Sequence, residues 1–350
     1  MLPYTPQKRL LHWRALSLLL LSVMPLALAQ STSGLKYAGI NLSGAEIKSA
    51  QKPGIIDIDY HYPQANEYIY FAGKHMNIIR LPILWERLQP KARGELDTEQ
   101  LALLQQAVAN AKAAKMHVIV DVHNYAKYYG HIIGSNKVPI GTFNDLWRRL
   151  AIAFKDDNAV IFGLMNEPYD INPQPWAAAV QASIDTIRKT GANNLILVPG
   201  ALWTGAHSWY STVAGQSNAV ALASIRDPLD HYAIEVHQYL DADSSGTSGR
   251  CVSATIGSER LRSFTKWLRL HKKRGFLGEF GTSNTVTCNL ALNDMLGYIQ
   301  SNPDVWTGWC AWAAGTWWPG KYPFNLNPDA KGRDKPQMSI LSARARRITQ

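Results

Sequence analysis

From residue 37 onward the chain alternates between two patterns of apolar and polar positions. Short apolar or alternating runs bounded by turn residues fall at 37–42, 78–81, 117–123, 160–165, 194–199, 232–237, 275–279 and 307–312, and each reads as a strand. Between them lie segments of helical period, among them 98–115, 142–154, 176–190 and 258–273; in the first, Leu101, Leu104, Val108 and Ala111 form one apolar stripe. Strands and helices alternating in this way predict a parallel α/β architecture, and at this length a single-domain TIM (β/α)8 barrel. The competing fold, an open doubly wound sheet, wants a Gly-rich phosphate loop after its first strand. Gly39-Ile40-Asn41-Leu42-Ser43-Gly44 lacks that spacing. The basic stretch after Ser342 reads as a solvated final helix.

The first thirty residues break the pattern. Lys8, Arg9 and Arg14 precede an almost wholly apolar run at 15–28 that ends in Ala27-Leu28-Ala29. This is the order of a secretory signal and its small-residue cleavage site, so residues 1–29 are expected to be removed, leaving one domain at 30–350. A membrane anchor is the competing reading, but the apolar run is shorter than the roughly 20 residues a spanning helix needs. No other stretch could span a bilayer and no Cys follows the cleavage site, so no stable membrane association is expected after processing. No Ser/Thr/Pro linker or low-complexity tract marks off a second domain.

Composition narrows the picture in three ways. A hydrophobic content of 46% with 18 scattered prolines supports a large core and excludes disorder. The formal charge of +10 is spread along the chain, with part of it in the leader and part in Arg344, Arg346 and Arg347, whereas a nucleic-acid partner needs basic residues gathered on one face. Of the 3 cysteines, Cys251 and Cys288 sit in polar, loop-like surroundings and are the expected disulfide in an oxidising compartment. Cys310 lies in the apolar run Trp309-Cys310-Ala311-Trp312 and reads as a buried thiol.

In a TIM barrel the chemistry gathers at the C-terminal ends of the strands. Those positions here hold Arg80, His123 and Asn124, Asn166 and Glu167, His237 and Tyr239, Glu279, and Trp312. A fold-only selection would place apolar or small residues there. Glu167 and Glu279, from the fourth and seventh strands, face each other across the barrel mouth, as glycoside cleavage requires: one carboxyl delivers a proton while the other, ionised, attacks or directs water. Arg80 and the Tyr239 hydroxyl are placed to hold Glu279 anionic, and His237 to tune Glu167.

With these residues identified, the chain resembles the family 5 glycoside hydrolases of the endoglucanase type, in the branch that includes the fungal endoglucanase II enzymes. The resemblance is carried by Ile78-Ile79-Arg80-Leu81-Pro82, Val120-Asp121-Val122-His123-Asn124-Tyr125, Phe162-Gly163-Leu164-Met165-Asn166-Glu167-Pro168, Glu235-Val236-His237-Gln238-Tyr239-Leu240-Asp241 and Gly278-Glu279-Phe280-Gly281, and it runs from about 37 to about 342. It implies a secreted, retaining endo-β-1,4-glucanase on a TIM barrel, acting on cellulose and related β-glucans. Glu167 is then the proton donor and Glu279 the nucleophile. Asn166 contacts the sugar 2-hydroxyl, Arg80, His123, His237 and Tyr239 support the site, and Trp312 is a stacking platform. Residues 241–247, Cys251 and Cys288 also match the branch. A departure lies at Lys127-Tyr128-Tyr129, where relatives often carry Trp.

A polysaccharide groove stacks sugar rings on aromatic side chains, and the 12 tryptophans leave a surplus for that. Trp203 and Trp209, Trp317 and Trp318, and Tyr128 and Tyr129 fall on loops of the presumed active face; Trp203, Trp318 and Tyr128 are expected to bind substrate. Trp147, Trp176 and Trp267 lie on helix patterns and are expected in the core, while Trp85 suits either place. No cofactor or metal is expected; the expected partner is the β-1,4-glucan substrate, with no nucleic acid, and the chain is expected to act as a monomer. Three rival readings remain: a mannanase or xyloglucanase of the same mechanism, a metal-dependent hydrolase using Asp121 and His123, and a non-catalytic glucan-binding barrel.

Overall fold

The computed structural model describes residues 1–4 and 34–349. The expected leader therefore lies outside the described residues beyond residue 4. All elements below belong to the compact unit Ser33–Gln350.

Eight parallel strands form a closed barrel, β1 (Tyr37–Leu42), β2 (Ile78–Ile83), β3 (His117–Val122), β4 (Val160–Gly163), β5 (Ile196–Pro199), β6 (Tyr232–His237), β7 (Gly275–Glu279) and β8 (Trp306–Ala314). Each pairs with the next in the chain and β8 closes on β1, the expected TIM barrel. Besides a single turn at Trp85–Leu88, the α-helices among the described residues are α1 (Ala65–Ala72), α2 (Thr98–Ala113), α3 (Ile140–Phe154), α4 (Pro173–Lys189), α5 (Asn218–Ala221), α6 (Ile256–Leu270), α7 (Val286–Gln300) and α8 (Gln337–Thr349).

Alternation along the strands divides the core in two. One set of positions, including Ile40, Ile79, Val118, Phe162, Val198, Ile234 and Leu277, packs with the helices. The other set fills the barrel with Ile78, Ile119, Ile161, Leu197, Ala233, Phe276 and Cys310. Strands buried on both faces read as continuous apolar runs, which is why the sequence marks them so clearly.

Local chemistry sets the boundaries. Asp97 caps α2 by accepting from the Gln100 amide, and Thr285 caps α7 by accepting from the Cys288 amide. Proline at the first position starts α4 at 173, three residues before the periodicity suggests. β4 ends at Gly163, short of the expected 165, because the chain leaves the ladder to present Asn166 and Glu167. The final helix is not merely solvated. Met338, Leu341 and Ala345 are fully buried in α8, which packs on β1 and α7.

Candidate active site

The inner wall changes character one pleat step above its apolar layer. Asn41, Arg80, Asp121 and Glu235 lie two residues beyond the levels of Gly39, Ile78, Ile119 and Ala233, and all four are fully buried. Arg80 is their hub. Its Nε donates to Glu235 Oε1 at 3.0 Å, Nη1 to Asn41 Oδ1 at 2.9 Å and Glu279 Oε1 at 2.7 Å, and Nη2 to Asn166 Oδ1 at 2.9 Å. Asp121 Oδ1 stands 3.1 Å from Nη2. Burial opposes the guanidinium charge, but Asp121, Glu235 and Glu279 outweigh it and hold Arg80 cationic. The same cation carries Glu235, against its own burial, below the ordinary carboxylate range.

Glu279 reaches this layer by a bulge. The β6–β7 register pairs Val236 with Leu277 but His237 with Glu279, so Gly278 is the extra residue and Glu279 turns inward beside His237. A Cβ on Gly278 would lie 2.0 Å from Glu235 Oε1, so no other residue fits there. Glu279 accepts from Tyr239 Oη through its second oxygen at 3.0 Å. Burial raises its pKa, and the charges of His237 and Arg80 work against that rise.

Glu167 follows β4 with a left-handed φ of 39°, a conformation that costs on the order of 1–3 kcal/mol in a non-glycine residue and is typical of functional positions. His237 Nδ1 lies 2.8 Å from Glu167 Oε1 and 3.6 Å from Glu279 Oε2. Burial disfavours the charged imidazole, but Glu279, Glu167 and Glu235 together bring its pKa up to about 10. An oxygen of Glu167 and one of Glu279 lie within 4.8 Å of each other and of the imidazole nitrogen. Three ligand atoms converge there, but the Arg80 guanidinium bound to Glu279 sets a fixed positive charge beside them that disfavours a metal ion, and the arrangement suits proton handling.

The expected residues converge with one exception. Asn166 is buried with its oxygen committed to Arg80, and its equally buried Nδ2 has no hydrogen-bond partner among the described residues. His123 Nδ1 pairs with Asp121 Oδ2 at 2.8 Å, and its ring stacks on Trp312 at 5.8 Å. With Asp121 committed to both Arg80 and His123, the metal-ligand reading of that pair fails. Trp312, Trp318 and Tyr322 form an aromatic wall, Trp318 stacking on Tyr322 at 4.3 Å. Trp203 is 52% exposed, its ring lies parallel to Tyr169 with centroids 5.3 Å apart, and it borders a cleft of about 560 Å³ that reaches Glu167.

Tyr128 is the exception: it is buried, its hydroxyl donates to the Gln89 carbonyl at 2.6 Å, and its ring packs on Trp85 at 4.4 Å. The loop folds back at the short hairpin of Lys127–Tyr128 and His131–Ile132, and Tyr129 is the exposed ring. Trp209 and Trp85 are likewise core. Three contributors to the site were not singled out from the sequence: Glu235, Asn41 and Tyr322. Glu235 stands two residues before His237 on the same strand face, a spacing that could have revealed it. Tyr322 lies in an irregular loop that carries no such signal. Cys251 and Cys288 form the expected disulfide, with Cα atoms 5.3 Å apart, and Cys310 is buried.

A family model described as Cellulase (glycosyl hydrolase family 5) matches residues 40–315. The endo-beta-1,4-glucanase B of Aspergillus niger is 40% identical over 294 residues, covering 84% of this chain and 85% of that protein. Among solved structures, the endo-beta-1,4-glucanase Xac0029 from Xanthomonas axonopodis pv. citri is 83% identical with a TM-score of 0.90, over 90% of this chain and 100% of that one. XacCel5A in complex with cellopentaose is 57% identical with a TM-score of 0.88, over 89% and 99%.

Proposed function

The chain belongs to glycosyl hydrolase family 5, and from that premise we propose that it is a secreted, retaining endo-β-1,4-glucanase with Glu167 as general acid/base and Glu279 as nucleophile. The observation that carries the reading is the carboxylate pair: an oxygen of each within 4.8 Å, in unlike surroundings. Retaining glycosidases set their two carboxyl groups roughly 5–5.5 Å apart, whereas inverting ones need roughly 6.5–9.5 Å to admit a water. A cellopentaose complex of a relative supports a β-1,4-glucan as the substrate. The leader pattern at 1–29 supports export and a mature domain beginning near Gln30. Among the described residues no helix is long and apolar enough to cross a membrane.

In the first step Glu167 gives its proton to the glycosidic oxygen while Glu279 attacks the anomeric carbon. The carbon–oxygen bond to the leaving chain breaks and a glycosyl ester to Glu279 forms. Arg80 and Tyr239 oppose protonation of Glu279 before attack and stabilise it as the leaving carboxylate afterwards. The carboxylate left on Glu167 lies beside His237 Nδ1, which balances its charge until it takes a proton from water. That water attacks the anomeric carbon and frees Glu279. The unpartnered Asn166 amide supports its reading as a donor to a sugar hydroxyl.

The test is release of reducing ends from carboxymethyl cellulose, barley β-glucan, xyloglucan and mannan, with Glu279→Ala alongside. Activity on the first two that disappears in the variant supports the proposal. Preference for mannan or xyloglucan keeps the mechanism and changes the substrate, and inactivity on all four favours a binding barrel.

A further inference from the structure

Tyr239 donates to the carboxylate read here as the nucleophile, but nothing in its own strand fixes the tilt of its ring, because it lies two residues beyond the end of β6. What bears on that ring is the following turn, 241–248. Gly246, with φ of 71°, leaves no room for a side chain against the phenol: a Cβ there would lie 2.7 to 2.9 Å from three ring carbons. Phe324 stacks on the same ring at 5.9 Å and 20°.

The turn is itself held. Asp241 is buried, and its carboxylate accepts from the Gly246 and Ser248 amides at 3.2 and 3.1 Å and from Ser245 Oγ at 3.2 Å. Arg260 donates to the carbonyls of Tyr239 and Ala242 at 2.7 and 3.2 Å, tying the start of the turn to α6. Its far end is fastened by the disulfide at Cys251.

We infer that the turn is a positioning element for the nucleophile: Asp241 sets Gly246 against the Tyr239 ring and so maintains the Tyr239–Glu279 hydrogen bond. The inference rests on the reading of Glu279 as nucleophile. Asp241 and Gly246 are positioning residues, since they act through Tyr239. A donor to a carboxylate favours its ionised form, so a displaced Tyr239 leaves Glu279 easier to protonate and moves the acid limb of activity to higher pH. Burial raises the Tyr239 phenol well above its ordinary value, so it remains a donor throughout that range.

The experiment compares kcat/KM against pH for the full mature chain and for Gly246→Ala, Asp241→Asn, Tyr239→Phe and the Gly246→Ala/Tyr239→Phe double variant, with circular dichroism to verify folding. Gly246→Ala is expected to lower kcat about tenfold with little change in KM and to move the acid limb upward by about half a pH unit or more. Tyr239→Phe should shift it in the same direction, and the double variant no further. Should Gly246→Ala fail to fold, Asp241→Asn decides, with a smaller shift of the same sign. A wild-type acid limb in folded Gly246→Ala or, failing that, in Asp241→Asn, or fully additive shifts in the double variant, would overturn the inference. A Glu279→Ala variant that retains turnover would instead overturn the underlying reading.

Discussion

On the inner wall of the barrel, Ile78, Ile119 and Ala233 stand two residues before Arg80, Asp121 and Glu235 on the same strands. Both levels are buried to the same degree, yet the lower is a packed apolar layer and the upper a lattice of charges. The lower layer tolerates its burial because it has nothing to hydrogen-bond. The upper is stable only because each charge is met: Arg80 by Asp121, Glu235 and Glu279, and His237 by Glu167, Glu235 and Glu279. One pleat step thus separates the part of the barrel that holds it together from the part that does its chemistry, and the two should fail differently when altered.

The largest effect is expected from Glu279→Ala, which should lower kcat on the order of 10⁵-fold while the barrel still folds, because the proposed nucleophile is lost and Arg80 keeps Asp121 and Glu235 as partners. Arg80→Met attacks the upper layer as a structure, leaving three buried carboxylates without their cation. It should cost about 3–5 kcal/mol in denaturant unfolding and also raise the acid limb of activity, since Glu279 is then easier to protonate. In the lower layer, Ile119→Ala should cost about 3 kcal/mol of stability while kcat of the folded fraction stays within about twofold. If it instead abolished kcat with stability intact, the separation of the two layers would be wrong. The smallest effect is expected outside both layers: Trp203→Ala should raise KM for cellopentaose about three- to tenfold, equivalent to roughly 1 kcal/mol of lost stacking, with kcat little changed.

How much of this was legible follows from the same contrast. The barrel strands were readable because burial on both faces makes them apolar throughout, and Arg80, Glu167, His237 and Glu279 were readable because polar residues interrupt that rule at strand ends. Helix starts were less so: the periodicity of α4 begins at Trp176, while Pro173 sets the first turn. Tyr128 was misplaced because a loop has no period. Nothing in Lys127-Tyr128-Tyr129 says which ring turns inward, and a hydrogen bond to Gln89, distant in sequence, decides it. The bulge at Gly278 was illegible for a related reason. The strict alternation that finds the strand would aim Glu279 away from the barrel, and only the pairing with His237 on β6 reveals the extra residue.

Two carboxylates whose oxygens lie within 4.8 Å are proposed here to act by double displacement. The most direct test is proton NMR of the new reducing ends in the first minutes of cellopentaose cleavage by the mature protein, before mutarotation equilibrates the anomers. Double displacement predicts that the β-anomer accumulates first and then decays toward equilibrium; initial appearance of the α-anomer would show inversion instead.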